Sequence, residues 1–280
     1  MATSWPDPPP LFDVDDAGER PTWFGRRASS RPARGATPAP AALDLVFEEP
    51  PSRGLARLGV FDLETTGVDV EDDRIVTAYV GLLAADGSVV RERHWMADPG
   101  VDIPEGATAV HGITTARARA EGRPAAEVVA EVVTALREIF AEGAPVVAYN
   151  APFDFSMLKH EAVRHGVEAI ASPAPVIDPL VVDKTWDRYR KGKRTLEIVA
   201  AHYGVALEGA HDASADAVAA GRVALAIAER YADLMPDDVG ELHARQIGWA
   251  REQAASLTEY FVRIGRIDAS EPLDGSWPIR

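Results

Sequence analysis

The stretch GVFDLETTG, Gly59 to Gly67, constrains the fold more than any other part of the sequence. Its apolar residues predict a buried strand, yet it carries the acids Asp62 and Glu64 two positions apart. Because side chains alternate along a strand, both carboxylates project from the same face of the sheet. Two ionised carboxylates side by side repel each other and lose hydration unless a cation lies between them. The pair is therefore either part of a solvated face or a cation site at the end of a strand.

The chain divides into three regions by composition and apolar pattern. Residues 1–55 are rich in Pro, Arg and Ala, and we interpret them as a largely disordered arm. Residues 56–232 carry the patterns of three antiparallel strands, then a helix, a short strand and further helices, which predicts an α/β domain. Strict alternation of strand and helix is absent, which disfavours a doubly wound nucleotide-binding fold.

Residues 233–280 predict a C-terminal helical extension. Its apolar residues recur at alternating four- and three-residue steps and form one stripe on a helix, namely Ala250, Ala254, Leu257, Phe261 and Ile264. Two interpretations remain open. The stripe packs against residues 56–232, or it docks onto another protein or a second copy of the chain, with Trp249 and Tyr260 at the rim.

Composition excludes some classes of protein. The 280 residues contain no cysteine, so disulfides and thiolate metal sites are excluded. No apolar run is long enough for a membrane span, and the N-terminus lacks the pattern of a signal peptide, so we expect a cytoplasmic protein. The net charge of −15 argues against a protein that coats nucleic acid, but it suits an enzyme that grips one strand end and carries divalent metals.

Two further acids, Asp154 and Asp216, fall in the first turns of predicted helices. Either one alone would be a favourable partner of a helix dipole. Together with Asp62 and Glu64 they make four hard oxygen ligands, suited to Mg²⁺ or Mn²⁺. Two such ions about 4 Å apart form the clamp used for in-line displacement at phosphorus. His211 precedes Asp216 by five residues and could take the proton of the attacking water, although a lone loop histidine is more often simply exposed to solvent.

Four motifs carry a family resemblance. FDLETTG, HGIT, NAPFDFSML and HDASAD occur in the order and approximate spacing of the DEDDh 3′–5′ exonucleases. The chain resembles this family, which includes the proofreading epsilon subunit of bacterial DNA polymerase III, over about residues 56–230. The resemblance implies a ribonuclease H-like fold, a mixed sheet flanked by helices.

The resemblance also implies roles for particular residues. It makes Asp62, Glu64, Asp154 and Asp216 the ligands of two Mg²⁺ or Mn²⁺ ions, and His211 the general base. Other residues would contact the terminal nucleotide: the backbone of Thr65, Thr66 and Gly67, and the side chains of His111 and Phe155. For Phe155, packing in the core is an equally good explanation.

The function that follows is metal-dependent release of nucleoside 5′-monophosphates from a single-stranded 3′ end of DNA, in replication proofreading or repair. An RNA-trimming or oligonucleotide-degrading exonuclease would use the same chemistry, and the long extensions favour DNA over it. A non-catalytic nucleic-acid-binding module is the third class. Expected partners are a polymerase or a sliding clamp, and no membrane is expected.

Two short segments are further candidates for binding. The basic run DRYRKGKR offers phosphate ligands or a solvated face, with Arg190, Lys191, Lys193 and Arg194. ALDLVF, at residues 42–47, is an apolar island in the Pro-rich arm. It is either an edge strand on the domain or a linear motif that resembles those binding the sliding clamp, and its alternating apolar residues are Leu43, Leu45 and Phe47.

Overall fold

The computed structural model of the protein describes residues 55–207 and 212–280. Within these ranges the strands are β1 (Arg57–Thr65), β2 (Ile75–Ala84), β3 (Val89–Asp98), β4 (Arg123–Pro124), β5 (Val146–Val147) and β6 (Val176–Ile177). The helices of the same ranges are α1 (Glu105–His111), α2 (Thr115–Glu121), α3 (Ala125–Ala141), α4 (Ala151–Arg164), α5 (Pro179–Trp186), α6 (Leu196–His202), α7 (Ala213–Arg230) and α8 (Val239–Arg263). His211 and the apolar island with Leu43, Leu45 and Phe47 lie outside the described residues.

The six strands of the described ranges form one mixed sheet in the order β4-β3-β2-β1-β5-β6. β1 is central because it pairs with β2 antiparallel on one side and with β5 parallel on the other. β5 pairs with β6 parallel as well, so β1, β5 and β6 all end at the same edge of the sheet. The loops that follow these three strands therefore meet at that edge.

Alternation along β1 gives the sheet two buried faces. Phe61 and Leu63 point into a core that also contains residues of α3 and α4. Leu58 and Val60 point to the opposite face, where they pack with residues of α6 and α7. Gly221 allows α7 to lie close to the sheet, since a Cβ there would stand 2.5 Å from a methyl group of Val60. The result is a sheet covered by helices on both faces, the predicted ribonuclease H-like arrangement.

The long elements of the prediction are confirmed. The predicted order of three antiparallel strands, a helix, a short strand and further helices is found as β1 to β3, α3, β5, α4, α6 and α7, and α8 forms the predicted C-terminal helix. The prediction missed the short elements, α1, α2, α5, β4 and β6. Apolar periodicity needs several turns or pleats to be visible, and these elements have two to eight residues.

The C-terminal extension packs on the domain through the first half of α8. Leu242 and Gln246 are buried, and α8 contacts α5 and β6. Farther along the predicted stripe the side chains become more exposed, ending at Ile264, which is 53% exposed. The chain then returns along α8 and places Trp277 in the core that contains α3 and α4. None of the helices in the described ranges is both long and apolar enough to cross a membrane.

Candidate active site

Three acids from two elements meet at the carboxyl end of β1. Asp62 and Glu64 project from the same face of the strand, and Asp216 lies in the first turn of α7, which packs on that face. One carboxylate oxygen from each of the three lies within 4.8 Å of the other two. Asp212 begins α7 as its N-cap and accepts hydrogen bonds from the backbone of Ser214 and Ala215. The cap fixes the turn that presents Asp216 to the other two acids.

The fourth acid, Asp154, approaches from the opposite side of β1. It lies in the first turn of α4, is 2% exposed, and accepts a hydrogen bond of 3.1 Å from the backbone N–H of Leu63. Asn150 makes the sharp turn from β5 into α4 with a left-handed φ of 64°, a conformation that asparagine tolerates well. Pro152 at the start of the helix has no N–H to leave unpaired there. These local preferences direct the Asp154 side chain back to β1. There it bonds to the backbone of Leu63, the residue between Asp62 and Glu64.

The acids are held where they resist ionisation. Burial, followed by the charges of Asp154 and Glu64, raises the pKa of Asp62 well above its ordinary value. Burial, followed by the charges of Asp216 and Asp212, raises the pKa of Glu64 to about 8. Burial raises the pKa of Asp154 too, although the N–H groups of Asp154 and Leu63 oppose the rise. A cation bound among these acids would offset both the burial and the mutual repulsion that raise their pKa values.

The donor set fits a hard divalent cation. All four side chains offer carboxylate oxygens, and the described residues that flank them add neither a thiolate nor a second kind of metal ligand to the cluster. Mg²⁺ and Mn²⁺ prefer such oxygens, and a bound ion would lower the same pKa values that crowding raises. The cluster is therefore a candidate metal centre formed by Asp62, Glu64 and Asp216, with Asp154 adjoining.

A cleft of about 580 Å³ opens beside the cluster. Glu64 and Asp212 line one side, and His111 and Arg117 line the other. The HGIT motif shapes the second side, because His111 ends α1, Gly112 takes a left-handed φ of 74°, and Thr114 caps α2 by accepting the N–H of Arg117. Burial lowers the pKa of His111, so the imidazole is neutral near neutral pH.

The Thr65–Gly67 turn forms the rim of the site where β1 ends. The pairing register of β1 with β2 shifts between Glu64 and Thr65, which marks the point where the strand leaves the sheet. The Thr65 hydroxyl donates to the carbonyl of Gly67 at 2.6 Å, and the Thr66 hydroxyl donates to Asp73 at 2.8 Å. A Cβ on Gly67 would stand 2.3 Å from an oxygen of the Asp73 carboxylate, so a larger residue there would displace the carboxylate that accepts from Thr66. The rim is a rigid backbone loop next to the carboxylates.

Phe155 and the basic run have surroundings that the sequence did not reveal. Phe155 is 2% exposed and packs on Phe61 with ring centroids 5.4 Å apart, which is the core-packing role. Arg190 donates to Asp183 at 2.6 Å, and Arg194 is buried against the same carboxylate. These two arginines hold the loop together rather than extend into solvent. The two lysines of the run, Lys191 and Lys193, are exposed.

Sequence reasoning missed the residues that support α4 from behind. Buried Asp178 accepts hydrogen bonds of 3.0 Å from the N–H groups of Asn150 and Ala151, where α4 begins. Its own N–H donates to Gln246 of α8 at 2.7 Å, and the Trp277 indole lies 3.4 Å from its carboxylate. The C-terminal extension thus touches the group that fixes the start of the Asp154 helix. The one available signal was a polar residue, Gln246, on the apolar side of a helix.

Fold and site together define a class of protein. A ribonuclease H-like mixed sheet with four acids at the end of its central strand and at two helix starts is the arrangement of DEDD-type 3′–5′ exonucleases. Residues 60–224 match the profile of the exonuclease family RNase_T, and the chain belongs to that family. The predicted family and the predicted class of enzyme are thereby confirmed.

Relatives and solved structures agree with this assignment. The chain is 29% identical over 250 residues to the PolC-type DNA polymerase III of Lacticaseibacillus paracasei, covering 80% of this chain and 17% of that protein. It is 31% identical over 164 residues to a DNA polymerase III subunit epsilon-like protein of Rhodobacter capsulatus, covering 57% of this chain and 22% of that protein. Its fold matches E. coli exonuclease I in complex with a dT13 oligonucleotide, with a TM-score of 0.54, 21% identity, and 64% of this chain and 42% of that chain covered. The chain thus spans less than a quarter of the length of these two curated relatives.

Proposed function

We propose that the protein removes nucleoside 5′-monophosphates from the 3′ end of single-stranded DNA, using two Mg²⁺ or Mn²⁺ ions held by Asp62, Glu64, Asp154 and Asp216. The observation that carries the proposal is the cluster of three carboxylates within 4.8 Å of one another, with Asp154 bonded to the strand between two of them. Membership of an exonuclease family supports the reaction. The choice of DNA is supported by the polymerase relatives and by the likeness to an exonuclease bound to dT13.

The protein itself supplies four carboxylates, each held in place by the element that carries it. When bound, the ions would lower the pKa of the attacking water and stabilise the leaving 3′ oxygen. Asp62 and Glu64 are fixed by the strand, Asp154 by its bond to Leu63, and Asp216 by the capped start of α7. The elements that carry the acids are therefore ordered before substrate arrives, which keeps the cost of assembling the site low.

His211 acts as the general base in this proposal. It lies outside the described residues, but it directly precedes Asp212, the N-cap of the helix that carries Asp216. An imidazole with an ordinary pKa can accept the proton of a water at neutral pH.

The rim of the site receives the 3′-terminal nucleotide. The backbone of Thr65, Thr66 and Gly67 is held in one conformation by the side chains around it, so its polar groups are oriented for a sugar or phosphate. Neutral His111 lines the cleft on the other side and offers a flat surface to a base or sugar. Phe155 is buried against Phe61 and is not among the residues that line the cleft.

Polymerase and sliding-clamp association belong to the same proposal. The similarity of the chain to DNA polymerase III proteins supports a link to replication or repair. The apolar residues Leu43, Leu45 and Phe47 would bind the clamp as an extended segment and raise the local concentration of the enzyme at DNA ends. A peptide of residues 38–50 should bind the cognate clamp with micromolar affinity, about −8 kcal/mol. No saturable binding of this peptide would remove the clamp from the proposal.

The reaction is tested with a single strand labelled at its 5′ end. The wild-type protein with Mg²⁺ should shorten the strand in single-nucleotide steps, and mass spectrometry should identify 5′-monophosphates as products. EDTA should stop the reaction. A matched RNA strand should be shortened more slowly, and the reverse order would favour the RNA-trimming function.

Two variants make the test specific. Asp62→Asn removes a charge from the cluster at nearly constant volume and should abolish shortening. Asp233→Asn makes the same change at an exposed site and should leave it unchanged. Equal activity of the Asp62→Asn variant and the wild type would show that a contaminating nuclease, or a different site on the protein, cuts the strand.

A further inference from the structure

A second groove lies between the loop after α5 and the outer part of α8. It has a volume of about 490 Å³, and Lys184, Arg188, Trp249, Tyr260 and Arg263 are among the residues that line it. We call it the basic groove. It is separate from the cleft beside the metal-binding acids, which is lined by other residues.

The cations of the basic groove fall into two groups. Arg190 and Arg194 are held by the buried carboxylate of Asp183, which also accepts a hydrogen bond of 2.8 Å from Tyr203. Asp187 also pairs with Arg190, so the two carboxylates together match the charge of the two arginines, which act as supports of the loop. This part of the basic run is therefore structural.

In the second group Arg188 and Arg263 are exposed, and Lys184 is half-buried. Lys184, Arg188 and Arg263 form no ion pair within residues 55–207 and 212–280. The lining also contains Glu252 and Glu259, and the exposed Lys191 and Lys193 follow on the adjoining loop. Positive charge is thus in excess here, in a chain whose net charge is −15. An excess of this kind attracts an anionic strand.

Aromatic rings are interleaved with these cations. Tyr189 is 86% exposed, and the Arg188 guanidinium lies 5.3 Å from its ring centroid. The Arg263 guanidinium lies 5.4 Å from the ring centroid of Tyr260 on the opposite wall. Rings that stack on bases, placed beside cations that contact phosphates, are how proteins bind single-stranded nucleic acid without sequence preference.

Helix α5, which carries Lys184 and Thr185 of the groove, begins at the edge of the sheet that carries the acids. β1 and β6 end at this edge because both are parallel to β5, and Asp178 follows β6 directly. Lys184 lies on α5 six residues after Asp178, a distance of about 9 Å along a helix. The acids and the start of α5 therefore share one edge of the sheet, and the C-terminal part of α5 lines the basic groove.

We propose that the basic groove binds the sugar–phosphate backbone of the substrate strand a few nucleotides upstream of its 3′ end. The proposal rests on the proposed exonuclease function and adds where the uncut part of the strand is held. With such a groove, the affinity of the enzyme depends on strand length. The rate of the chemical step at the acids does not depend on it.

The test compares two double variants of the full-length protein. Arg188→Gln with Arg263→Gln removes two open cations from the groove. Arg137→Gln with Arg245→Gln removes two exposed arginines elsewhere, each paired with a glutamate, and is the matched control. Binding of a fluorescent oligo-dT of about 15 nucleotides is followed by anisotropy in EDTA over a range of salt concentrations. Hydrolysis of this strand and of a trinucleotide is measured with Mg²⁺.

The groove variant should lose two phosphate contacts. For single strands each contact contributes about 0.7 to the slope of log K against log salt, so the slope should fall by about 1.4. Extrapolated from 1 M salt, this is a loss of about 25-fold in affinity at about 0.1 M salt. KM for the long strand should rise accordingly. The kcat and the hydrolysis of the trinucleotide should match the control.

Each contrary result has a distinct meaning. Equal affinity of the groove variant and the control for the long strand would overturn the proposal. So would an equal loss on the trinucleotide, because it would place the two arginines at the terminal nucleotide. A change in oligomeric mass by light scattering without a change in DNA affinity would identify a second copy as the occupant. If the wild type hydrolyses neither strand, the exonuclease proposal fails, while the anisotropy still decides whether the groove binds DNA.

Discussion

Substituting Glu64 tests whether the clustered carboxylates destabilise the folded protein. The free energy of unfolding is measured, so the test does not depend on enzyme activity. Glu64→Gln replaces the carboxylate by a neutral amide of almost the same shape. A pKa that rises from the ordinary 4.5 to about 8 in the folded protein means that ionising Glu64 opposes folding. Each pH unit between those values corresponds to about 1.4 kcal/mol, and solvent near this partly exposed side chain reduces the total to about 2 kcal/mol.

The sign of the effect sets the pH window. Between pH about 4.5 and about 8 the folded wild type holds more protons on Glu64 than the unfolded chain does, so its stability in EDTA falls as pH rises through this window. The variant lacks this loss. The two proteins should be about equally stable near pH 4.5, and the variant should be more stable by about 2 kcal/mol above pH 8.

Divalent metal should reduce the stability advantage of the variant. At Mg²⁺ concentrations of about 100 times Kd the wild type should gain about 2.7 kcal/mol, and the variant should gain less because it has lost a ligand. Urea denaturation across pH, with EDTA and with Mg²⁺, measures both effects. Glu229→Gln, an exposed site on α7, is the control. Identical pH profiles of the variant and the wild type in EDTA would refute the crowding of charge at Glu64.

Three further changes test other parts of the account. Asp216→Ala should abolish Mg²⁺-dependent turnover while circular dichroism shows an intact fold, and residual turnover of a tenth or more would contradict its role as a ligand. His211→Ala should lower kcat by roughly 10²–10⁴-fold with little change in KM, the usual loss for a general base, and a smaller loss would assign the proton to another group. Trp277→Ala should lower the free energy of unfolding by about 3 kcal/mol in urea, and an unchanged value would mean that the C-terminal segment is not packed in the core in solution.

The sequence predicted the parts of the fold that have a strong apolar period. β1, β2 and β3 have nine or ten residues each, and α3 has seven buried residues on one face, so their patterns are unambiguous. β6 has only two residues and depends on pairing with β5. Such pairing is a property of the assembled sheet, which no local pattern reports.

The candidate site was predictable where chemistry leaves a mark on the sequence. A carboxylate in an apolar strand, such as Asp62, is costly to bury, so it is recognisable in the sequence as a candidate functional residue. The supports of the site leave no such mark. Asp183 and Arg194 form their pair only after the loop between α5 and α6 folds back, so the basic run reads as solvent-exposed in the sequence. Asp178 and Trp277 meet across 99 residues for the same reason.

The most direct test of the central claim is a titration of the full-length protein with Mn²⁺, followed by electron paramagnetic resonance. We expect saturable binding of two Mn²⁺ ions per chain, with a spectrum showing coupling between the two ions, since paired metal sites lie about 4 Å apart. Asp62→Asn should lose at least one of the two ions, and Asp233→Asn should bind both. Wild-type protein that binds no Mn²⁺, or binds it equally well without the Asp62 carboxylate, would contradict the claim that these acids form a metal centre.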